Sequence, residues 1–263
     1  MTYTIKETNL ERQHLLAQFL NPMSLKSLQK ITLPESAAVL DVGCGLGDTS
    51  LMLLQCFPDA YITGIDADKA LIEAAITEKK QRHPYQLHFV QGDALRLPFN
   101  DASFDFVFCR FVLHHIPDAY AALAEMKRVC KPGGVVFAQE PDISLFQPYP
   151  ENRAYARCKE YVNALFADAV IGRKLIHYFS RLCMQNIEHA AEIPLVDHAS
   201  GNKKLFTLTG VALSNNILKN KLLDEKSLNE WITELKKTED DPEAIVLSFP
   251  VISTWGNKEI EYT

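Results

Sequence analysis

Five short apolar runs mark the first half of the chain, at 37–43, 61–66, 87–91, 104–110 and about 134–140, and segments of helical period fill the gaps between them. Strands that alternate with helices predict right-handed crossovers and a parallel sheet covered on both faces. Ahead of the first run, residues 10–31 carry Leu15, Leu16, Phe19 and Leu20 at helical intervals, with a break expected at Asn21-Pro22. After the fifth run the pattern changes. A loop rich in proline and aromatics, Ser144 to Pro150, leads into a helix at about 153–169; Gly172 then interrupts, and a second helix is expected at about 174–184. Residues 191–198 read as a strand, with Pro194 placing it at a sheet edge. Two further helices are expected at about 209–221 and 227–237, the latter opened by a capping box of Ser227 and Glu230, and closing strands at 244–249 and 251–255.

The chemistry collects at the strand ends. Val39-Leu40-Asp41-Val42 runs directly into Gly43-Cys44-Gly45-Leu46-Gly47, and a helix opens at Asp48 and runs to about Phe57. Glycine lets the backbone turn sharply and lets a ligand come close, and the helix start behind it suits an anionic group. The second strand ends in Asp66, where a carboxylate can accept from both hydroxyls of a ribose. A dinucleotide fold would show G-x-G-x-x-G, whereas these glycines stand at 43, 45 and 47, and Asp48 would repel a pyrophosphate. In open parallel sheets the ligand lies outside the carboxyl ends, where the strand order reverses, so Gly43, Asp66, Asp93 and Arg110 are expected to meet in one pocket.

Composition narrows the choice of partner. A net charge of −6 with no long basic run argues against a broad nucleic-acid footprint. The six cysteines form neither a C-x-x-C pair nor metal-ligand spacing and fit thiols in a reducing cytoplasm. There is no apolar h-region at residues 1–7 and no run of eighteen apolar residues, so neither a secretory signal nor a membrane contact is expected.

The pattern Asp41-x-Gly43-x-Gly45-x-Gly47 resembles motif I of the class I S-adenosylmethionine (SAM)-dependent methyltransferases. Further matches follow in order: Gln91-Gly92-Asp93-Ala94 after the third strand, Phe104 to Arg110 as the fourth, Phe111 to Asp118 as the loop behind it, and Glu125 to Gly134 as the helix-to-strand turn before the fifth. Glu11 to Leu20, Glu140-Pro141-Asp142, Ile171 to Leu175 and Ser253 to Asn257 resemble a bacterial small-molecule branch. The chain departs from the pattern at Leu46, where threonine is usual, and at Cys183-Met184-Gln185-Asn186. The resemblance implies an α/β, Rossmann-like, doubly wound and mostly parallel seven-stranded sheet with an inserted helical lid. The expected layout is a single domain over 1–263: a helical cap at 1–35, a SAM-binding core at 36–142, the lid at 143–190, and strands and helices completing the sheet at 191–263.

It also implies SAM as cofactor, S-adenosylhomocysteine (SAH) as product, a small-molecule acceptor and no metal. The cofactor positions carried over are Asp41, Gly43, Gly45, Asp66, Ala67, Asp93, Ala94 and Arg110. Several keep a second reading. Asp66 binds ribose or caps the next helix, a task Asp68 can take instead; Asp93 meets the adenine or is a turn carboxylate; Asp41 holds loop N–H groups or reaches the methionine amino group through water. His114, His115 and Glu140 are the candidate proton acceptors, and each is also read as structural. Asp142, Tyr3, Arg12, Tyr149 and Arg173 are placed around the acceptor, with Arg173 also read as a lid ion pair. A non-catalytic SAM-binding protein, or an enzyme acting on protein or RNA, is the alternative.

Overall fold

Apolar residues on alternate positions of the strands serve two faces of one sheet. The computed structural model describes the backbone of residues 5–260 and the side chains of 10–260; Tyr3 and the rest of 1–4 lie outside the described residues. Strands β1 (Ala38–Val42), β2 (Tyr61–Asp66), β3 (Leu87–Gln91), β4 (Phe104–Arg110) and β5 (Cys130–Pro141) run parallel. Two later strands, β7 (Gln185–Glu192) and β10 (Val251–Asn257), complete a seven-stranded sheet in the order β3-β2-β1-β4-β5-β10-β7, with β10 antiparallel to both neighbours. Leu40, Val42, Val107 and Cys109 face one side, packed by Met126, Leu175 and Phe179. Val39, Phe106, Phe108 and Phe137 face the other, against Leu53 and Trp255. The Rossmann-like, mostly parallel sheet expected from the resemblance is therefore present, and the order reverses between β1 and β4.

Helices α2 (Asp48–Cys56), α3 (Lys69–Ala75), α4 (Ala119–Val129) and α6 (Leu175–Arg181) flank the sheet. A separate layer covers the carboxyl ends of the strands. It consists of α1 (Ile5–Leu28), α5 (Arg153–Leu165), α7 (Lys204–Lys219), α8 (Glu225–Asp240) and a three-stranded sheet of β6 (Gln147–Tyr149), β9 (Ile245–Leu247) and β8 (Leu195–Val196). Its own core joins Phe19, Leu20, Tyr155, Phe206, Trp231 and Val246. No helix among the described residues is long and apolar enough to cross a membrane.

Four expectations are corrected. Helix α1 runs through Pro22 without a break, because Leu20 and Met23 are buried on either side and Arg110 bonds Asn21 and Ser24. Residues 143–190 are not one lid: Ile171, Leu175, Phe179 and Met184 belong to the core under the sheet, and β7 begins at Gln185. A Cβ on Gly172 would stand 2.8 Å from Glu140 O, so the chain there is pressed onto the end of β5. Conversely, α7, α8 and β9 belong to the covering layer, and within 191–260 the strand that completes the large sheet is β10, beside the last residues of β7. Finally, α8 starts at Glu225 with Asp224 as its cap, accepting from Ser227 N at 2.7 Å, in place of a cap at Ser227.

Candidate active site

The glycine loop is held in place by β2. Gly43 N and Cys44 N both donate to Ile65 O, at 2.7 and 3.1 Å. Gly43, Gly45 and Gly47 all take positive φ, of 72, 53 and 78°. At Gly43 the constraint is double, since a Cβ would stand 2.2 Å from Val112 Cγ2; only glycine fits both the conformation and the space. Helix α2 opens directly behind Gly47 and points its first turn at the loop.

Asp66 stands beside this loop. Its Oδ2 accepts from Gly45 N and its Oδ1 from Asp68 N, both at 2.9 Å. Asp68, not Asp66, caps α3 by accepting from Ala70 N at 2.8 Å. Each Asp66 oxygen thus retains acceptor capacity. On β3's far end, Asp93 Oδ1 accepts from Leu95 N at 2.9 Å. Gly43, Gly45, Asp66, Ala67, Asp93 and Ala94 all line one end of a single cavity of about 600 Å³.

Two expected cofactor positions are placed otherwise. Asp41 is buried under the loop and is absent from the cavity wall. Its Oδ2 accepts from Ser50 Oγ at 2.6 Å, and burial pushes its carboxyl up to about 7 despite that bond and the nearby Arg110 charge. Arg110 does reach the wall, but its guanidinium donates to Asn21 Oδ1, Ser24 Oγ and Thr49 Oγ1, each at 2.9 Å. It ties α1 and α2 to the end of β4. Burial lowers its pKa to about 10, with Asp41 and Asp48 opposing.

The other end of the cavity lies under β4, β5 and the covering layer. Glu140, wholly buried, accepts from Val112 N and Leu113 N with Oε1 and bonds His114 Nδ1 with Oε2, all at 2.8 Å. Both its oxygens are occupied away from the cavity, so it is no free proton acceptor. The pairing places the proton on His114 Nδ1, because a carboxylate only accepts, and leaves Nε2 as an acceptor. The His114 ring lines the cavity, packed against Phe111, His115 and Phe166. His115 opens into the same cavity; desolvation there, then His114 and Arg12, pull its pKa down to about 3, so it is neutral near pH 7. Asp142 lies outside, paired with Arg173 and bonded by Ser144, so Arg173 is the ion pair of its second reading. Tyr149 is 70% exposed and does not reach the cavity.

Helix α1 supplies site residues whose role the sequence reading missed. Gln13 lies over Gly45, its Oε1 3.1 Å from where a Cβ would be. His14 Nδ1 meets Asp48 Oδ2 at 2.7 Å, and Lys79 holds Asp48 Oδ1 at 2.8 Å. Leu16 and Leu20 also reach the cavity, on the same face and at helical spacing from Arg12, which the sequence already placed around the acceptor, and that period was the available signal.

Comparison with known proteins agrees with this arrangement. Residues 40–138 match the family model described as "Methyltransferase domain". A demethylmenaquinone methyltransferase of Bacillus licheniformis is 38% identical over 116 residues, covering 44% of this chain and 49% of that protein. The chain thus spans about half the length of the curated relatives it matches. Among solved structures, the YcgJ protein of Bacillus subtilis matches with a TM-score of 0.65 and 19% identity, covering 93% of this chain and 100% of that one. Phosphoethanolamine N-methyltransferase 2 of Haemonchus contortus, in complex with S-adenosyl-L-methionine, matches with a TM-score of 0.60 and 17% identity, covering 92% and 52%. These two establish the fold.

Proposed function

We propose that this chain, whose residues 40–138 match the methyltransferase-domain model, binds SAM at the glycine-loop end of the cavity and methylates a small molecule held at the other end. The carrying observation is that Gly43, Gly45, Asp66 and Asp93 meet at one end of one cavity whose other end is walled by a separate layer. The residues fit the cofactor. Asp66 has an acceptor position left on each oxygen for a pair of ribose hydroxyls, Asp93 has Oδ2 for an adenine amino group, and the positive-φ glycines bring backbone close to the ligand. When bound, SAM supplies an electrophilic methyl: the acceptor–carbon bond forms as the sulfur–carbon bond breaks, and the electron pair stays on sulfur to leave SAH.

What the chain itself contributes is placement. The covering layer walls the acceptor end, and holding two reactants in line accounts for about 7–11 kcal/mol of such barriers. Where the acceptor must lose a proton, His114 Nε2 is the group to take it, with Glu140 holding the ring and stabilising the imidazolium. The relatives named for demethylmenaquinone support a small-molecule acceptor over a macromolecule, and the acidic net charge of −6 argues against RNA. A cytoplasmic setting belongs to the same reading.

The test has two steps. Calorimetry with SAM and SAH should give one site per chain. Incubation with methyl-labelled SAM and a bacterial metabolite extract should then move label into a low-molecular-weight product. Absence of binding to both ligands overturns the reading; binding without transfer to any pool favours a non-catalytic SAM-binding protein.

A further inference from the structure

We propose that the acceptor end of the cavity selects a lipophilic small molecule and rejects cationic ones; the inference rests on the methyl-transfer reading and deepens it. The strand order divides the cavity. The ends of β1, β2 and β3 lie to one side and carry Asp66 and Asp93, and Asp48 opens α2 behind the loop. The ends of β4 and β5 lie to the other, and there the wall is built of Leu16, Phe146, Val162, Phe166, Leu213 and Phe249.

Among the polar side chains there, His114 turns Nε2 and His115 its ring to the cavity, and Lys159 and Arg12 bring positive charge. Lys159 Nζ donates to Ser144 O, Thr209 Oγ1 donates to Leu205 O at 2.7 Å, and His114 Nδ1 is on Glu140. Arg12 also has an interaction of its own. Every carboxylate that lines the cavity (Asp48, Asp66, Asp93) stands on the cofactor side. A cationic acceptor would therefore lose its water, gain no counter-charge and face the charges of Lys159 and Arg12. An apolar body loses nothing on entry and gains from every wall residue it covers.

The probes are two naphthalenes of different charge: 2-naphthol (neutral at pH 7) and 1-naphthylmethylamine (a cation). Each is titrated by fluorescence into the full chain saturated with SAH. We expect 2-naphthol to bind at least about tenfold more tightly than the amine, a difference of about 1.4 kcal/mol. Leu213→Asp, which places a charge on the wall, and Ala212→Trp, which fills it, should each weaken 2-naphthol at least about tenfold while leaving SAH affinity near that of the unaltered protein. If Leu213→Asp fails to fold, Ala212→Trp carries the test. Equal or tighter binding of the amine, or 2-naphthol binding untouched by both substitutions, overturns the proposal while SAH binding still supports methyl transfer. A chain that binds 2-naphthol selectively but neither SAM nor SAH upholds the chamber and overturns the methyl-transfer reading instead.

Discussion

Asp66→Ala separates cofactor binding from scaffold. The carboxylate makes two backbone hydrogen bonds, to Gly45 N and Asp68 N, both at 2.9 Å. Hydrogen bonds to a charged group are each worth about 1.5–3 kcal/mol, and less where water competes. The bond to Asp68 is exposed and that to Gly45 half-buried, so the substitution should cost about 1–3 kcal/mol of folding stability. If the same oxygens also accept two ribose hydroxyls, SAM and SAH must weaken further, by at least about tenfold, or 1.4 kcal/mol. Asp68→Ala is the control. It removes the cap on Ala70 N and should cost about 0.5–2 kcal/mol of stability, yet its side chain does not line the cavity and the backbone N–H that Asp66 accepts is kept. Denaturant unfolding measures the first quantity and calorimetric titration of SAH the second. Equal weakening of SAH by both substitutions, or unchanged SAH affinity in folded Asp66→Ala, would refute the reasoning: Asp66 would then serve the loop and not the ligand.

Gly43→Ala should destabilise the protein by about 1–2 kcal/mol for the left-handed conformation and about 1–3 kcal/mol for the overlap with Val112, read as a lower urea midpoint. The Asp41 carboxyl is raised to about 7 in the fold from an unfolded value near 3.8. Its neutral form is thus the one the fold favours, and its contribution is present at low pH and lost as pH rises from about 4 through about 7. Asp41→Asn, still able to accept from Ser50, should gain on the unaltered protein across that window, by at most about 1.4 kcal/mol per pH unit; a difference between the two that does not change with pH would contradict this. Arg110→Ala should cost more than about 3 kcal/mol, because Asn21, Ser24 and Thr49 each lose a charged donor at 2.9 Å. Amide exchange in α1 should rise with it, and exchange confined to other elements would argue against the clamp.

The sheet was legible because its signals are local. β2, β3 and β4 begin and end where the apolar runs do, since β2 and β4 bury apolar residues on both faces and β3, at the sheet edge, buries Leu87 and Phe89. β7 was read too late along the chain because Gln185, Asn186, Glu188 and His189 give an edge strand little apolar content. The break at Pro22 was a fair inference from backbone chemistry, overridden by tertiary bonds from Arg110 that no local window contains. Asp66 and Asp93 were found by position at strand ends. Asp41, Arg110 and Glu140 stand at the same kind of position, yet their side chains turn inward to Ser50, to α1 and to the backbone after β4. Strand position fixes where a residue stands; partners far along the chain decide where its side chain goes.

The placement of β10 has a consequence for how the protein is made. β5 leaves the ribosome with its outer edge open, and the strand that closes it, Val251–Asn257, follows only after the whole covering layer has been synthesised. Until then Phe137 lacks its stacking partner Trp255, and Gln139 lacks Ser253. A nascent or truncated chain ending before Val251 would display a parallel sheet with a raw apolar edge, the kind of surface that pairs with other chains. Yield and aggregation during expression therefore hinge on seven residues that touch neither end of the cavity.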